Sequence, residues 1–326
     1  MKFFVTGGAG FIGSHLVDKL IQKGEVTVYD NLSSGKKEFI QHHLGKAGFD
    51  FVLADLLDFE KLKKAMPGHD VVFHLAANPD ARLGTEDTSL DLNQETVATY
   101  NVLEGMRVND IKKIVFSSSG TIYGETPVFP LPENYGPVLP ISLYGAGKLA
   151  CEGLISSFCH TFDMQSWIYR FANIVGPRAT HGVIYDFIHK LKANSKELEV
   201  LGDGKQRKPY LYVEECVEGM LFGFSNADQR VNLFNLGCES STEVNNISRM
   251  VCEEMGLDGV KFKYTGGDRG WRGDVPQVRF DIKKMKKLGW EPELTSDEAV
   301  LKGIKKIIPE IISDFAKKGE KILCSQ

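Results

Sequence analysis

The 326-residue chain has no CxxC pair, and its six cysteines, Cys151, Cys159, Cys216, Cys238, Cys252 and Cys324, are scattered. That excludes a dense disulfide framework and points to reduced thiols in a cytoplasmic protein. It has no HExxH, and none of its eight histidines shares ligand spacing with a cysteine, so the His42–His43 pair reads as a polar helix end rather than a metal site. No uninterrupted apolar run reaches the length of a membrane span, so no membrane association is expected. An excess of cations is missing too: 39 Lys and Arg against 43 Asp and Glu leave a net charge of −4, which argues against a chain-wide basic surface for nucleic acid. There is no internal repeat, low-complexity segment or Pro/Gly linker. The apolar N-terminus, MKFFVTGGAGFIG, is broken by glycine and reads as a first strand rather than a signal peptide.

What is there is alternation. KFFVTG, EVTVYD, FDFVLAD, DVVFHLAA, IKKIVFSSS and MQSWIYRF are strand-like, with helical stretches at 58–66, 86–108 and 142–162 and a first helix in FIGSHLVDKLIQKG. Strands alternating with helices imply a parallel sheet covered on both faces. The second half is less regular. Helices are expected at 182–193, 213–225, 243–255, 281–287 and 296–316, with short strands in LEVLG, VNLFNL and VKFKY. The proline-rich 126–140 reads as a long ordered loop. The fold class is α/β, a doubly wound, Rossmann-like parallel sheet over 1–172 with a smaller, closely packed C-terminal region over 173–326. Later segments such as 205–235 are expected to return to the first part.

Between the first strand and the first helix lies TGGAGFIGSH. Gly8, Gly10 and Gly13 match GxGxxG; Gly7, Gly10 and Gly13 match GxxGxxG. Either pattern allows a tight turn and close backbone approach to a pyrophosphate at a helix N-terminus. The next strand ends at Asp30, placed to accept hydrogen bonds from the adenosine ribose hydroxyls. A carboxylate there repels a 2′-phosphate and favours NAD over NADP, although Lys36 and Lys37 downstream keep NADP open.

In SLYGAGKLACE, Tyr144 precedes Lys148 by one helical turn, so the two share a face. On spacing alone this is more often a solvated helix surface than a site. Context changes that. TGGAGFIG, DNLSSG, ADLLD, FHLAA, SSSGTIYG, YGAGK, RFANIVGPR and GDGKQR follow one another in order. The chain resembles the extended short-chain dehydrogenase/reductase family of nucleotide-sugar enzymes, and its UDP-glucose 4-epimerase branch most of all, from residue 1 to about residue 291.

The resemblance implies roles. Gly7, Gly10, Phe11 and Ile12 would line the pyrophosphate. Asp30 and Asn31 would hold the adenosine ribose, with Ser33, Ser34 and Gly35 nearby. Asp55 and Leu56 would meet the adenine, and Leu75, Ala76, Ala77 and Ser117 would lie on the nicotinamide side. Tyr144 and Lys148 match the family's YxxxK pair and Ser119 its catalytic Ser/Thr. Lys148 and the nicotinamide charge would lower the tyrosine pKa and make it a base, Ser119 would bond the same sugar oxygen, and a 4-keto sugar would form and be reduced on its other face. Asn173, Val183 in the loop 181–184, Arg207 and Tyr210 in or after GDGKQR, and Arg272 and Asp274 would receive a UDP-sugar. The family's habits also imply a homodimer through 86–108 and 142–162. Gly120 and Thr121 stand where dehydratases carry an acid pair, which favours simple epimerisation; another nucleotide-sugar reductase, dehydratase or epimerase is the alternative. Departures touch the substrate side. Either Arg207 or Lys208 is the phosphate cation, Trp271 stands where an arginine is expected so that Arg269 or Arg272 must replace it, Glu95 takes the place of an asparagine, and the small Val278 suits a bulkier N-acetylated or uronic sugar.

Overall fold

The structure is a computed structural model and describes residues 1–317; Cys324 and the charged tail lie outside the described residues. Strands β1 (Lys2–Thr6), β2 (Glu25–Asp30), β3 (Phe49–Leu53), β4 (Val71–His74), β5 (Lys113–Ser119) and β6 (Gln165–Phe171) form most of the central sheet. Short strands β7 (Asn173–Val175), β8 (Glu197–Val200), β9 (Arg207–Lys208) and β10 (Tyr210–Tyr212) follow, then β11 (Val231–Leu236), β12 (Thr242–Glu243) and β13 (Lys261–Tyr264). The central sheet is parallel, in the order β11-β6-β5-β4-β1-β2-β3. The winding reverses between β1 and β4, so a crevice opens beyond their carboxyl ends, where open α/β sheets bind ligands.

Strands buried on both faces carry continuous apolar runs, and successive side chains go to opposite sides. Phe3 and Val5 of β1 face one core with Leu16, Val17 and Leu20 of α1 (Phe11–Leu20). Cys216, Val217 and Met220 of a later helix, Val213–Asn226, join them. Phe4 faces the opposite core, with Leu62 of α2 (Phe59–Ala65), Val102, Leu103 and Met106 of α3 (Ala98–Val108), and Cys151, Ile155 and Cys159 of α4 (Leu143–Thr161). A third core joins α5 (Val183–Ala193), α7 (Val244–Glu254) and α9 (Ser296–Lys317) to Leu198 and Val200 of β8. In chain order, Val213–Asn226 is α6 and Lys283–Leu288 is α8.

VNLFNL, which overlaps the 205–235 stretch expected to return to the first part, is β11, an edge strand of the central sheet in register with β6 from Val231 opposite Ser166 to Leu236 opposite Phe171. One expectation needs correction. The helix expected over 86–108 is regular only from Ala98. Leu92–Val97 before it is a π-turn, a wide turn that recurs at functional sites. It turns Glu95 inward against α4, where a side chain on Gly147 would overlap the Glu95 carboxylate.

Candidate active site

A cavity of about 530 Å³ lies at the carboxyl ends of β1, β4, β5 and β6. Its floor begins at the glycine turn. Gly7 has φ +69°, and a Cβ there would come within 2.6 Å of the Ala76 amide nitrogen. A Cβ on Gly13 would overlap the Gly7 carbonyl. Gly8 packs on Val28 and does not line the cavity, so Gly7, Gly10 and Gly13 are the set that faces it. Gly10 precedes α1, whose first turn carries no acid, and this leaves the positive end of the helix uncompensated beside the cavity.

Asp30 ends β2 with its Oδ2 accepting from Ala9 N at 3.0 Å and its Oδ1 from Leu32 N at 2.8 Å. Burial holds its carboxyl above the usual range against those two amides. Asn31 donates to Asp55 Oδ2 at 2.8 Å and accepts from Ser33 N at 2.9 Å, which fixes the loop beside the cavity.

On the other side, α4 begins at Ser142, whose hydroxyl accepts from Gly145 N at 3.1 Å. One turn on, Lys148 is 2% exposed and donates from Nζ to Ser117 O at 3.0 Å. Its ammonium lies 5.6 Å from the Tyr144 ring centroid and 5.0 Å from that of Phe116. Ser119 Oγ accepts from Thr121 N at 3.2 Å and from its hydroxyl at 3.0 Å. Tyr144, Lys148 and Ser119 therefore meet at one cavity wall, beside Leu75, Ala76, Ala77 and Ser117.

Residues 3–237 match the NAD dependent epimerase/dehydratase family. The chain belongs to this family. It is 41% identical to a crystal structure of a UDP-galactose 4-epimerase, over 95% of this chain and 100% of that one, with a TM-score of 0.86. It is 32% identical to the Thermotoga maritima UDP-glucose 4-epimerase with UDP-glucose, over 98% of this chain and 100% of that one, at a TM-score of 0.84. A curated relative, the UDP-glucose 4-epimerase of Mycolicibacterium smegmatis, is 31% identical over 93% of this chain and 97% of its own length.

As a member of the NAD dependent epimerase/dehydratase family, the chain departs from several expectations. Gly7, Gly10, Phe11, Ile12, Asp30, Asn31, Ser33, Ser34 and Leu56 all line the cavity, but Gly35 and Asp55 do not. Gly35 packs where a Cβ would come within 2.9 Å of the Ala9 backbone, and Asp55 is spent on Asn31 and Leu57 N. Asn173, Val183, Tyr210 and Asp274 line the cavity, as does the whole of 181–184. Arg207 does not; it points outward to Glu243 at 3.3 Å, while Lys208 lines the wall and pairs with Asp274. Alternation along β9 explains this, since neighbouring side chains of a strand face opposite ways. Neither Arg272 nor Arg269 reaches the cavity: Arg272 is exposed, and Arg269 pairs with Glu125 and Asp268. Trp271 lines it instead. Asn78, Arg82 and Gln94 also line it and carried no signal in the sequence, because Asn78 and Arg82 lie in irregular segments and Gln94 in a π-turn that reads as ordinary helix.

The phenol also behaves differently from expectation. Burial lifts the Tyr144 pKa, Glu95 and Asp91 push the same way, and the attraction of Lys148 and a contact with Ser119 do not overcome them. The lowering expected from Lys148 and the nicotinamide charge together is not reached by the chain's own groups, because burial of the phenol outweighs the lysine, with Glu95 and Asp91 adding to it. For Lys148, burial opposes its charge, but Tyr144 and Glu95 outweigh it and raise the ammonium. Away from this site, both His42 and His43 bond Asp18 Oδ1 at 2.7 Å, and Arg178 takes its other oxygen at 2.8 Å. The three ligand-type atoms of Asp18, His42 and His43 lie within 4.8 Å of one another, a cluster the reading as a polar helix end did not foresee.

Proposed function

We propose that the protein interconverts the C4 epimers of a UDP-sugar, UDP-glucose and UDP-galactose first, with NAD held throughout. The convergence of Tyr144, Lys148 and Ser119 on a cavity floored by the Gly7–Gly13 turn carries this reading. NAD, when bound, would supply reversible hydride transfer at the sugar C4. The chain's residues do the rest. Gly7, Gly10, Phe11 and Ile12 hold the pyrophosphate against α1, Asp30 and Asn31 the adenosine ribose beside Ser33 and Ser34, and Leu56 the adenine. Leu75, Ala76, Ala77 and Ser117 flank the nicotinamide, and Lys148 holds its ribose. Tyr144 takes the proton of the sugar 4-hydroxyl and later gives it back, while Ser119 bonds the same oxygen. Lys208 supplies the cation at the diphosphate, with Asn173, Val183 and Tyr210 around the nucleotide.

Simple epimerisation is favoured over elimination by the floor next to Ser119. A Cβ on Gly120 would overlap the Phe280 ring, and the Thr121 hydroxyl is engaged with Ser119, so no acid is housed there. A homodimer accords with the exposed apolar stripe Leu92, Val97, Tyr100 and Val108 along the π-turn and α3, beside Leu143 of α4. No described helix is long and apolar enough to cross a membrane. A cytoplasmic setting suits the five described cysteines, all unpaired and buried.

Proton NMR of purified protein with UDP-glucose, UDP-galactose and their N-acetylated counterparts, without added cofactor, tests the proposal. The C4 epimer should accumulate to equilibrium. A reaction that consumes NADPH stoichiometrically would overturn it.

A further inference from the structure

Away from the cavity, three side chains that the proposed chemistry does not use converge on one point. Asp18 stands in the last turn of α1, and His42 and His43 in a short 3-10 turn, Gln41–His43. None of the three lines the cavity. Neighbouring side chains of a 3-10 turn leave the backbone roughly 120° apart. Here the two rings nevertheless come together, with centroids 3.9 Å apart, and each Nε2 donates to the same Asp18 Oδ1 at 2.7 Å. Among the described residues this is the one place where three ligand atoms of His, Cys, Asp or Glu gather this closely.

The surroundings hold this set in place and leave one side open. His43 is buried with its ring 5.4 Å from that of Phe49, whereas His42 is exposed and gives a path from solvent. Burial works against the Asp18 charge, but His43, Arg178 and His42 outweigh it and hold the carboxyl below its ordinary range, so it is ionised at neutral pH. Arg178 takes the other oxygen, Oδ2, at 2.8 Å and leaves Oδ1 to the imidazoles. Its own amide is anchored on Glu310 at 2.7 Å, so the guanidinium orients the carboxylate, as the outer partners of metal ligands do. Its charge also weakens the attraction of the site for a cation. His15 of α1 bonds Pro177 O through Nε2 at 3.1 Å and stays outside the set.

We propose that Asp18 Oδ1 and the Nε2 atoms of His42 and His43 bind one divalent cation of the zinc class, with water in the fourth position on the open side. Two imidazole nitrogens and one carboxylate oxygen suit Zn2+ and its late first-row neighbours, and do not suit Mg2+ or Ca2+, which take oxygen ligands. Each Nε2 must then be free of its proton, as ligation requires. Tetrahedral bonds of about 2.0–2.2 Å place ligand atoms roughly 3.3 Å apart, so the set has to open by about half an ångström, which the exposed ring of His42 allows. The cation ties the turn Gln41–His43 to α1 and so fixes the far end of the segment that starts with Asn31, Ser33 and Ser34 on the cavity wall.

Calorimetric titration of the full-length, NAD-bound protein with Zn2+ alone tests the site. One equivalent should bind and raise the melting temperature, and Mg2+ at the same concentration should do neither. His42→Ala, at an exposed position, should keep the metal-free melting temperature and weaken Zn2+ binding by roughly tenfold or more, as should Asp18→Asn. No saturable binding up to about 100 µM Zn2+ overturns the proposal, and so does an affinity that both variants leave unchanged, which would put the cation elsewhere. Should Asp18→Asn fail to fold, proton NMR of the wild-type chain decides: Zn2+ should move the ring signals of two of the eight histidines most, and those two should be the ones that His42→Ala and His43→Ala remove. Largest shifts on any other histidine overturn the proposal.

Discussion

Helix α4 touches two buried carboxylates, and they are built in opposite ways. Glu152, one turn beyond Lys148, takes a two-pronged grip from Arg170 at 3.0 and 2.7 Å and a hydroxyl from Ser118 at 2.5 Å. Arg170 is itself completed by the Tyr123 hydroxyl at 2.9 Å and Glu133 O at 3.0 Å, and Tyr123 donates to Asn235 at 2.7 Å. This network ties α4 to β5, β6 and β11. Glu95, across the helix, has one cation at 3.7 Å and no hydrogen bond. A satisfied fork fixes geometry, because every donor and acceptor is spent. A buried carboxyl without hydrogen bonds instead favours its protonated form. The first is scaffold and the second stands beside chemistry, and α4 aligns them.

Four experiments press on that contrast. The largest effect is expected for Tyr144→Phe, which should lower kcat by roughly 10²- to 10⁴-fold with the melting temperature and NAD content unchanged. A comparable loss of stability would show that the active side is structural too. Next, Glu152→Ala strands a buried guanidinium and should cost about 3–5 kcal/mol in urea unfolding. A loss under about 1 kcal/mol would mean that the fork is no scaffold.

Third comes the pH dependence of stability. The carboxyl of Glu95 is raised from 4.5 to about 8 in the fold, so the folded chain holds its proton more tightly than the unfolded chain does. Stability from this group is full below the lower value and lost as pH rises through the window, at about 1.4 kcal/mol per unit. Urea midpoints measured from pH 5 to 8 should fall in the wild type and flatten in Glu95→Gln. The smallest effects mark the substrate end. Lys208→Ala should raise KM for the UDP-sugar by roughly tenfold or more, the scale of one lost charge-assisted hydrogen bond, while Arg207→Ala and Arg272→Ala should leave it within about twofold. Equal effects at positions 207 and 208 would undo the assignment of the inward cation.

Much of this was legible before any coordinates. The glycine turn, Asp30 at the end of β2 and the Tyr144–Lys148 spacing are local, and local patterns survive in sequence. Spacing alone left Gly8 and Gly7 open and only the family resemblance chose Gly7; the physical reason is Ala76, which approaches Gly7 from the end of β4. Nor was the direction of Arg207 and Lys208, since a two-residue strand has too short a pattern to read. Glu95 was visible only as a replaced residue inside an apparently ordinary helix. The extra residue of the π-turn aims it, and helical periodicity does not reveal that widening.

By itself, then, the sequence determined the alternating elements, the phosphate-binding turn and the helix that carries the tyrosine and lysine. These depend on backbone propensity and on contacts within a few residues. Only the tertiary structure decided which cation faces the cavity, how Glu152 is locked to Arg170, and that a carboxylate is trapped behind Lys148. Each of these brings together residues far apart in the chain, and their charges acquire meaning only once folding has removed the water between them.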